Sequence, residues 1–268
     1  MMLSNNRIDP IEVRKSVLKM LYNSNASHLG SNMSVIEAIM SMYYSVNIEK
    51  IKNQDFDRSR IIISKGHCSA ATCAVMAHFG IIDFKLLDTY SLDNSYLAGH
   101  VSHGVSGIEH STGALGHGLS VGVGCAIGLK SLNLTNEKVL VLCGDGEIQE
   151  GSIWESLMFA KHKKLNNLIV LIDNNQISSI TDTHKVIDLR PLASVFKGFG
   201  LNTKEADGHK IDEICSTIEN CNNSDVPSVI ICNTIKGKDV PFAENEPIWH
   251  YKTLNKELYD KALLALEK

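Results

Sequence analysis

Two short apolar runs separated by a helical pattern constrain this chain more than any other feature. Lys138 to Cys143 (KVLVLC) is rich in Val and Leu and reads as a buried strand. Gly144-Asp145-Gly146 ends it in a sharp turn. Ser152 and Glu155 have the spacing of a capping box, opening a helix over SIWESLMFAKHKK. Asn167 to Ile172 (NLIVLI) is a second buried strand and runs into Asp173-Asn174-Asn175. Strand, helix, strand in this order predicts two parallel strands joined by a right-handed crossover. Asp145 and Asn175 then lie at the carboxyl end of one sheet, where open α/β folds bind ligands. A carboxylate and an amide there supply hard oxygen ligands, and the flanking glycines let the backbone approach closely. That combination suits Mg²⁺ or Ca²⁺ holding a diphosphate. A lone Gly-Asp-Gly is a common turn; the second strand ending in Asn-Asn gives it weight.

The rest of the chain continues the alternation. Asp9 reads as an N-cap and Pro10 as the first residue of a helix through IEVRKSVLKMLYNS. Ser34 to Tyr44 reads as a second helix. Arg60 to Ser64 (RIIIS) is a strand, followed by Lys65-Gly66-His67 and a helix of small residues, CSAATCAVMAHFG. Leu97 to Ser111 is loop-like. Gly113 to Leu129 carries glycines at 113, 116, 118, 122, 124 and 128. This is poor helix composition by propensity. It makes sense for a buried helix whose backbone packs tightly on another element, a subunit interface being one such place. Pro227 starts a strand, SVIICNTI, that ends in Lys236-Gly237-Lys238, and Thr253 is placed to cap a terminal amphipathic helix. The expected fold is α/β, a parallel sheet with helices on both faces. It forms one domain over residues 1–268, with a helical extension from about 253.

A formal net charge of −4 with no dense Lys/Arg stripe argues against a nucleic-acid partner. The seven cysteines are scattered and lack a CxxC pair, so they read as reduced thiols in a cytoplasmic setting. The first residues, MMLSNNRIDP, hold no apolar signal segment. The glycine-rich stretch is too short and polar to span a membrane. His100, His103 and His110 lack the helical spacing and carboxylate partners usual in zinc sites. His78, His162 and His184 read as ordinary surface or core histidines, and ligand contact by His103, His110 and His117 is left open.

Further segments resemble one family, the transketolases, in order along nearly the whole chain. Ser27-His28-Leu29-Gly30-Ser31 is similar to that family's GHxG segment, and Ser64 to His67 to its SKGH. Gly99-His100 matches a GH pair, and Thr112 to Gly118 (TGALGHG) a TGSLGQG. GDGEIQEG and DNNQIS are close matches, followed by Asp207-Gly208-His209, Thr234 to Lys238 and Trp249-His250. The resemblance implies thiamine diphosphate as cofactor, with Asp145, Asn175 and the carbonyl of Ile177 binding Mg²⁺ or Ca²⁺. Ser31, His67, Gly113, Ala114, Leu115, Gly144, Gly146, Glu150, Lys236 and His250 would line the cofactor. His28, His67, His100 and His250 would surround the reacting carbon, exchanging protons as a two-carbon unit leaves a ketose and passes to an aldose. Two departures put the usual sugar specificity in doubt. His117 stands where glutamine is common, and Val101-Ser102-His103 where a proline-containing turn is common.

Whole transketolases are more than twice this length, and no segment here follows the pattern of their second, pyrimidine-binding domain. The chain therefore looks like the amino-terminal subunit of a split transketolase, inactive alone and paired with a carboxyl-terminal subunit in a heterotetramer. Other readings stay open: a subunit of another thiamine-diphosphate synthase, or a non-catalytic diphosphate-binding partner. A nicotinamide-binding Rossmann enzyme is disfavoured, because no G-x-G-x-x-G follows the first strand.

Overall fold

Each apolar run of the sequence is a strand of one sheet. The computed structural model describes residues 7–267. Its strands are β1 (Arg60–Ile63), β2 (Val139–Gly144), β3 (Leu168–Asn174), β4 (Asn202–Asp207) and β5 (Ser228–Asn233). They lie in the order β1-β2-β3-β5-β4, every pair parallel. A parallel sheet must be covered on both faces, and the alternation along β2 shows that it is. Leu140 and Leu142 point into one core; Val139, Val141 and Cys143 point into another.

The helices, in chain order, are α1 (Pro10–Asn23), α2 (Leu29–Met33), α3 (Ile36–Tyr44), α4 (Ile48–Lys52), α5 (Ser69–His78) and α6 (His117–Ser131). They continue with α7 (Gly151–His162), α8 (Thr183–Val186), α9 (Leu192–Gly198), α10 (Ile211–Asn220) and α11 (Lys256–Leu266). Val17 of α1, Ile39 of α3, Ala74 of α5, Ile214 of α10 and Ala262 of α11 fill the first core. Leu119 of α6, Leu157 of α7 and Phe196 of α9 fill the second. Each fully buried Leu, Ile or Val contributes about 1.5–3 kcal/mol. The small residues of α5 let that helix be buried on all sides, Ala70, Ala71 and Ala74 having no exposure.

The first helix starts as the sequence predicts: Pro10 opens it and the Asp9 carboxylate accepts from Ile11 N at 2.9 Å. Two other expected caps are corrected. Ser152 lies inside the first turn of α7, and its hydroxyl donates to Gly116 O at 3.0 Å, tying the helix to a neighbouring loop. Asn255, not Thr253, caps α11, its Oδ1 accepting from Leu258 N at 2.9 Å. Tyr259 of that helix stacks on Tyr22 of α1, with ring centroids 4.4 Å apart.

The glycine-rich helix begins at His117, later than its glycines suggest, because Gly113 and Gly116 have φ of 148° and 81°. Its close packing is confined to one face. A Cβ on Gly118 would lie 2.6 Å from Ser64 Cβ, and one on Gly122 would lie 2.6 Å from Val141. Around Gly124 and Gly128 nothing lies within 4 Å. All seven cysteines are free thiols. Among the described residues no helix is long and apolar enough to cross a membrane.

Candidate active site

Parallel strands put all their carboxyl ends on one edge of the sheet, and the loops leaving β1, β2, β3 and β5 meet there. Register sets the spacing: Gly144 of β2 pairs with Asp173 of β3, and Asn174 of β3 with Asn233 of β5. Together with the start of α2, these loops wall a cavity of about 370 Å³.

One side of the cavity is a corner of oxygen donors. Asp145 is buried; it accepts from Gly146 N at 2.8 Å and from Gln176 N in a shorter bond. Burial, and then the charge of Asp173, push its carboxyl up to about 7, only partly offset by Lys65. Asn175 donates through Nδ2 to Asp173 at 2.8 Å and accepts at Oδ1 from Ile177 N at 3.1 Å. The Ile177 carbonyl accepts from the buried ammonium of Lys236 at 3.0 Å, and the Ser178 carbonyl from the same group at 2.7 Å. Burial, then the nearby Lys65, bring Lys236 down to about 8. Lys65 itself is paired with Asp173, and each keeps its charge although burial opposes it. Glu147, also buried, gathers Ser64 Oγ, Gly116 N and Gly144 N, and so ties the ends of β1 and β2 to the loop before α6.

The other side is a ring of imidazoles. The centroid of His28 is 5.4 Å from His67, 5.6 Å from His100 and 4.9 Å from His250. His28 has a left-handed backbone, φ 71°, and its N–H donates to His250 O at 3.1 Å. His250 Nδ1 lies 3.3 Å from Ser31 Oγ. Burial, reinforced by Lys65, Lys236 and neighbouring histidines, lowers His28 to about 4, His250 to about 3 and His67 well below its ordinary value. These three rings are therefore neutral at pH 7, each with one nitrogen to donate and one to accept.

The oxygen corner fits a hard divalent cation. Asp145 is a buried carboxylate whose raised pKa marks missing positive charge. Beside it are an amide oxygen and a backbone carbonyl that already faces an ammonium. Among the described residues no three His, Cys, Asp or Glu side chains gather to hold a metal. One carboxylate with amide and carbonyl oxygens is an alkaline-earth donor set rather than a zinc one. Added side chains at Gly144 and Gly146 would meet nothing closer than 3.6 Å, so this turn is open to a bulky anion.

Of the residues singled out from the sequence, the cavity wall includes all four histidines, Ser31, Gly113, Leu115, Gly144, Asp145, Gly146, Asn175, Ile177 and Lys236. Ala114 and Glu150 do not line it; Glu150 precedes α7 and packs beneath Gly116. His117 and His103 stand outside it too, and His103 bonds to Ser111 at 2.6 Å. The wall also includes Lys65, Glu147, Gln149, Ser178 and Tyr251, for which sequence reasoning suggested no role. Lys65 and Asp173 carried a readable signal: charged residues that close buried strands need partners.

Residues 9–262 match a family described as transketolase, thiamine diphosphate binding domain. The chain belongs to the transketolase family. It is 34% identical over 252 residues to an apulose-4-phosphate transketolase subunit of Phocaeicola vulgatus, covering 93% of this chain and 89% of that one. It is also 34% identical over 259 residues to the 6-deoxy-6-sulfo-D-fructose transketolase subunit SqwG of a Clostridium species, covering 96% and 94%. The transketolase structure from Campylobacter jejuni superposes with a TM-score of 0.83 at 26% identity, over 98% of this chain and 43% of that one. This transketolase-family chain thus spans most of the two subunits and less than half of the longer enzyme.

Proposed function

We propose that this chain is the diphosphate-binding subunit of a two-chain transketolase, moving a two-carbon ketol unit from a ketose to an aldose. The observation that carries the proposal is the convergence of four histidines over an oxygen-donor corner at one sheet edge. Asp145, Asn175 and Ile177 O hold Mg²⁺ or Ca²⁺, while Ser31, Gly113, Leu115, Gly144, Gly146 and Lys236 border the diphosphate. When bound, thiamine diphosphate supplies a nucleophilic carbon and an electron sink. His28, His67, His100 and His250 do the proton work: a neutral imidazole accepts from a sugar hydroxyl at one nitrogen and donates at the other.

The need for a partner rests on two observations. The cavity rim exposes Leu115, Ile180, Val186 and Tyr251, apolar surface of the kind a second protein covers. The relatives of matching length are themselves named as transketolase subunits. Those names also specify a phosphate or a sulfo group on the sugar, so a ketose with an anionic end is the proposed donor. The two lysines of the wall are already engaged, Lys65 by Asp173 and Lys236 by two carbonyls. The anionic end of the sugar therefore falls to the partner, in a heterotetramer of two chains of each kind.

The test is to isolate the chain from its native cells with whatever accompanies it. The pair is then assayed with ketose donors and aldehyde acceptors, with products identified by mass spectrometry. An equimolar second protein and two-carbon transfer are expected. Full activity from the chain alone would overturn the two-chain reading, and products of another carbon–carbon ligation would overturn ketol transfer.

A further inference from the structure

Asp173 has no exposed surface, yet its carboxylate gathers four side chains from separate parts of the fold. Ser34 Oγ, from the link between α2 and α3, donates at 2.8 Å. Asn175 Nδ2 donates at 2.8 Å, and Lys65 Nζ after β1 and Thr234 Oγ1 after β5 make shorter contacts. An ionised carboxylate can only accept. Asn175 must therefore present its NH₂ to Asp173, which turns its oxygen the other way, where Ile177 N donates to it at 3.1 Å. Two independent bonds fix the same amide orientation. Lys65 completes the arrangement. It supplies the counter-charge for Asp173 and reaches Ser31 O at 3.3 Å, so the negative charge that Asp173 brings to the corner is partly offset.

We infer that Asp173, held by Lys65, is a positioning residue for the cation site, fixing Asn175 with its oxygen toward the metal. This rests on the function proposed above. It reaches past the direct ligands to a residue that touches neither cation nor cofactor. Outer partners of this kind typically change metal affinity by about 10–100-fold when removed.

The test uses the full chain together with its partner and Mn²⁺ as the probe cation, which favours the same oxygen ligands. Free Mn²⁺ is followed by electron paramagnetic resonance at fixed thiamine diphosphate, alongside a thermal melt. In Asp173→Asn the side chain can donate as well as accept, so Asn175 loses one of the two bonds that fix its orientation and Mn²⁺ affinity falls by about 10–100-fold. Ser34→Ala and Thr234→Val each remove one bond to the same carboxylate; they lower the melting temperature and leave Mn²⁺ affinity unchanged. The double variant Lys65→Met/Asp173→Asn removes both buried charges. It recovers thermal stability relative to Asp173→Asn, because an unpaired buried ammonium is gone, but it does not recover Mn²⁺ affinity. Affinity that simply follows the melting temperature across the variants overturns the inference, as does wild-type affinity in Asp173→Asn; both leave the proposed function standing. Failure of the wild-type complex to bind Mn²⁺ overturns the inference and the proposed function together.

Discussion

The oxygen corner and the histidine ring share one cavity but are held in place by different means. Asp145 and Asn175 leave adjacent, hydrogen-bonded strands, so the sheet register sets their separation, and buried groups such as Lys65 and Asp173 brace them. The four histidines come from four loops far apart in sequence, linked by contacts such as His28 N–H to His250 O. One region holds buried charge in a braced network, with Asp145 left short of a counter-charge. The other keeps His28, His67 and His250 uncharged by burial and by positive neighbours. Binding a fixed, highly charged group calls for the first arrangement, and moving protons calls for the second.

The sharpest way to separate the two is to delete one member of each. Asp145→Ala is expected to weaken cation-dependent thiamine diphosphate binding by more than about 100-fold, beyond the range of outer-partner losses. The circular dichroism spectrum should stay unchanged, and calorimetric titration reads the loss. His100→Ala should instead lower kcat by about 10²–10⁴-fold with little change in cofactor affinity. Steady-state kinetics of the proposed two-chain complex decide this, and an equal loss of cofactor affinity would contradict the role given to His100.

Acid should also pull the two regions in opposite directions. Unfolded histidine titrates near 6.5 and aspartate near 3.9. His28 and His250 titrate at about 4 and about 3 in the fold, so stability that they leave intact above pH 6.5 is lost as pH falls from there to the folded values. Asp145, raised to about 7, has the opposite sign: its contribution is fully present below pH 3.9 and is lost as pH rises through 7. In the metal-free chain, Asp145→Asn should therefore steepen the fall in melting temperature between pH 7 and 4. His28→Asn with His250→Asn should flatten it. Shifts of roughly 2–4 °C correspond to about 1 kcal/mol in a chain of this size.

The smallest effects lie along α6, on whose inner face the cradle leans. Gly118→Ala would drive a methyl group into Ser64 beside the site, costing about 1–3 kcal/mol in chemical denaturation. Gly124→Ala faces open space and should stabilise the isolated chain by about 1 kcal/mol.

Much of this was legible in the sequence, for physical reasons that also mark where legibility stopped. The runs RIII, VLVLC and LIVLI are strands buried on both faces, where composition and structure coincide. β4 escaped notice because NTKEAD is an edge strand whose exposed charges interrupt the pattern and leave one buried residue on each face, Thr203 and Ala206. Ser152-Ile-Trp-Glu155 has capping-box spacing, yet Ser152 is already inside the helix and its hydroxyl goes to Gly116. The corner was visible because its motifs fall at strand ends, whereas the four histidines were visible through segments that resemble the family's, only His67 closely following a strand. Asp173 was visible as part of a motif but not as a hub, since its partners Ser34, Lys65 and Thr234 meet only in three dimensions.

The strand order has a consequence for synthesis. β4 precedes β5 in the chain yet pairs with β5 alone, so residues 202–207 leave the ribosome with no strand to pair with until residues 228–233 follow. His250 comes later still. The oxygen corner takes its first shape once β3 is made, whereas the histidine ring closes only after residue 250 has followed, more than seventy positions later.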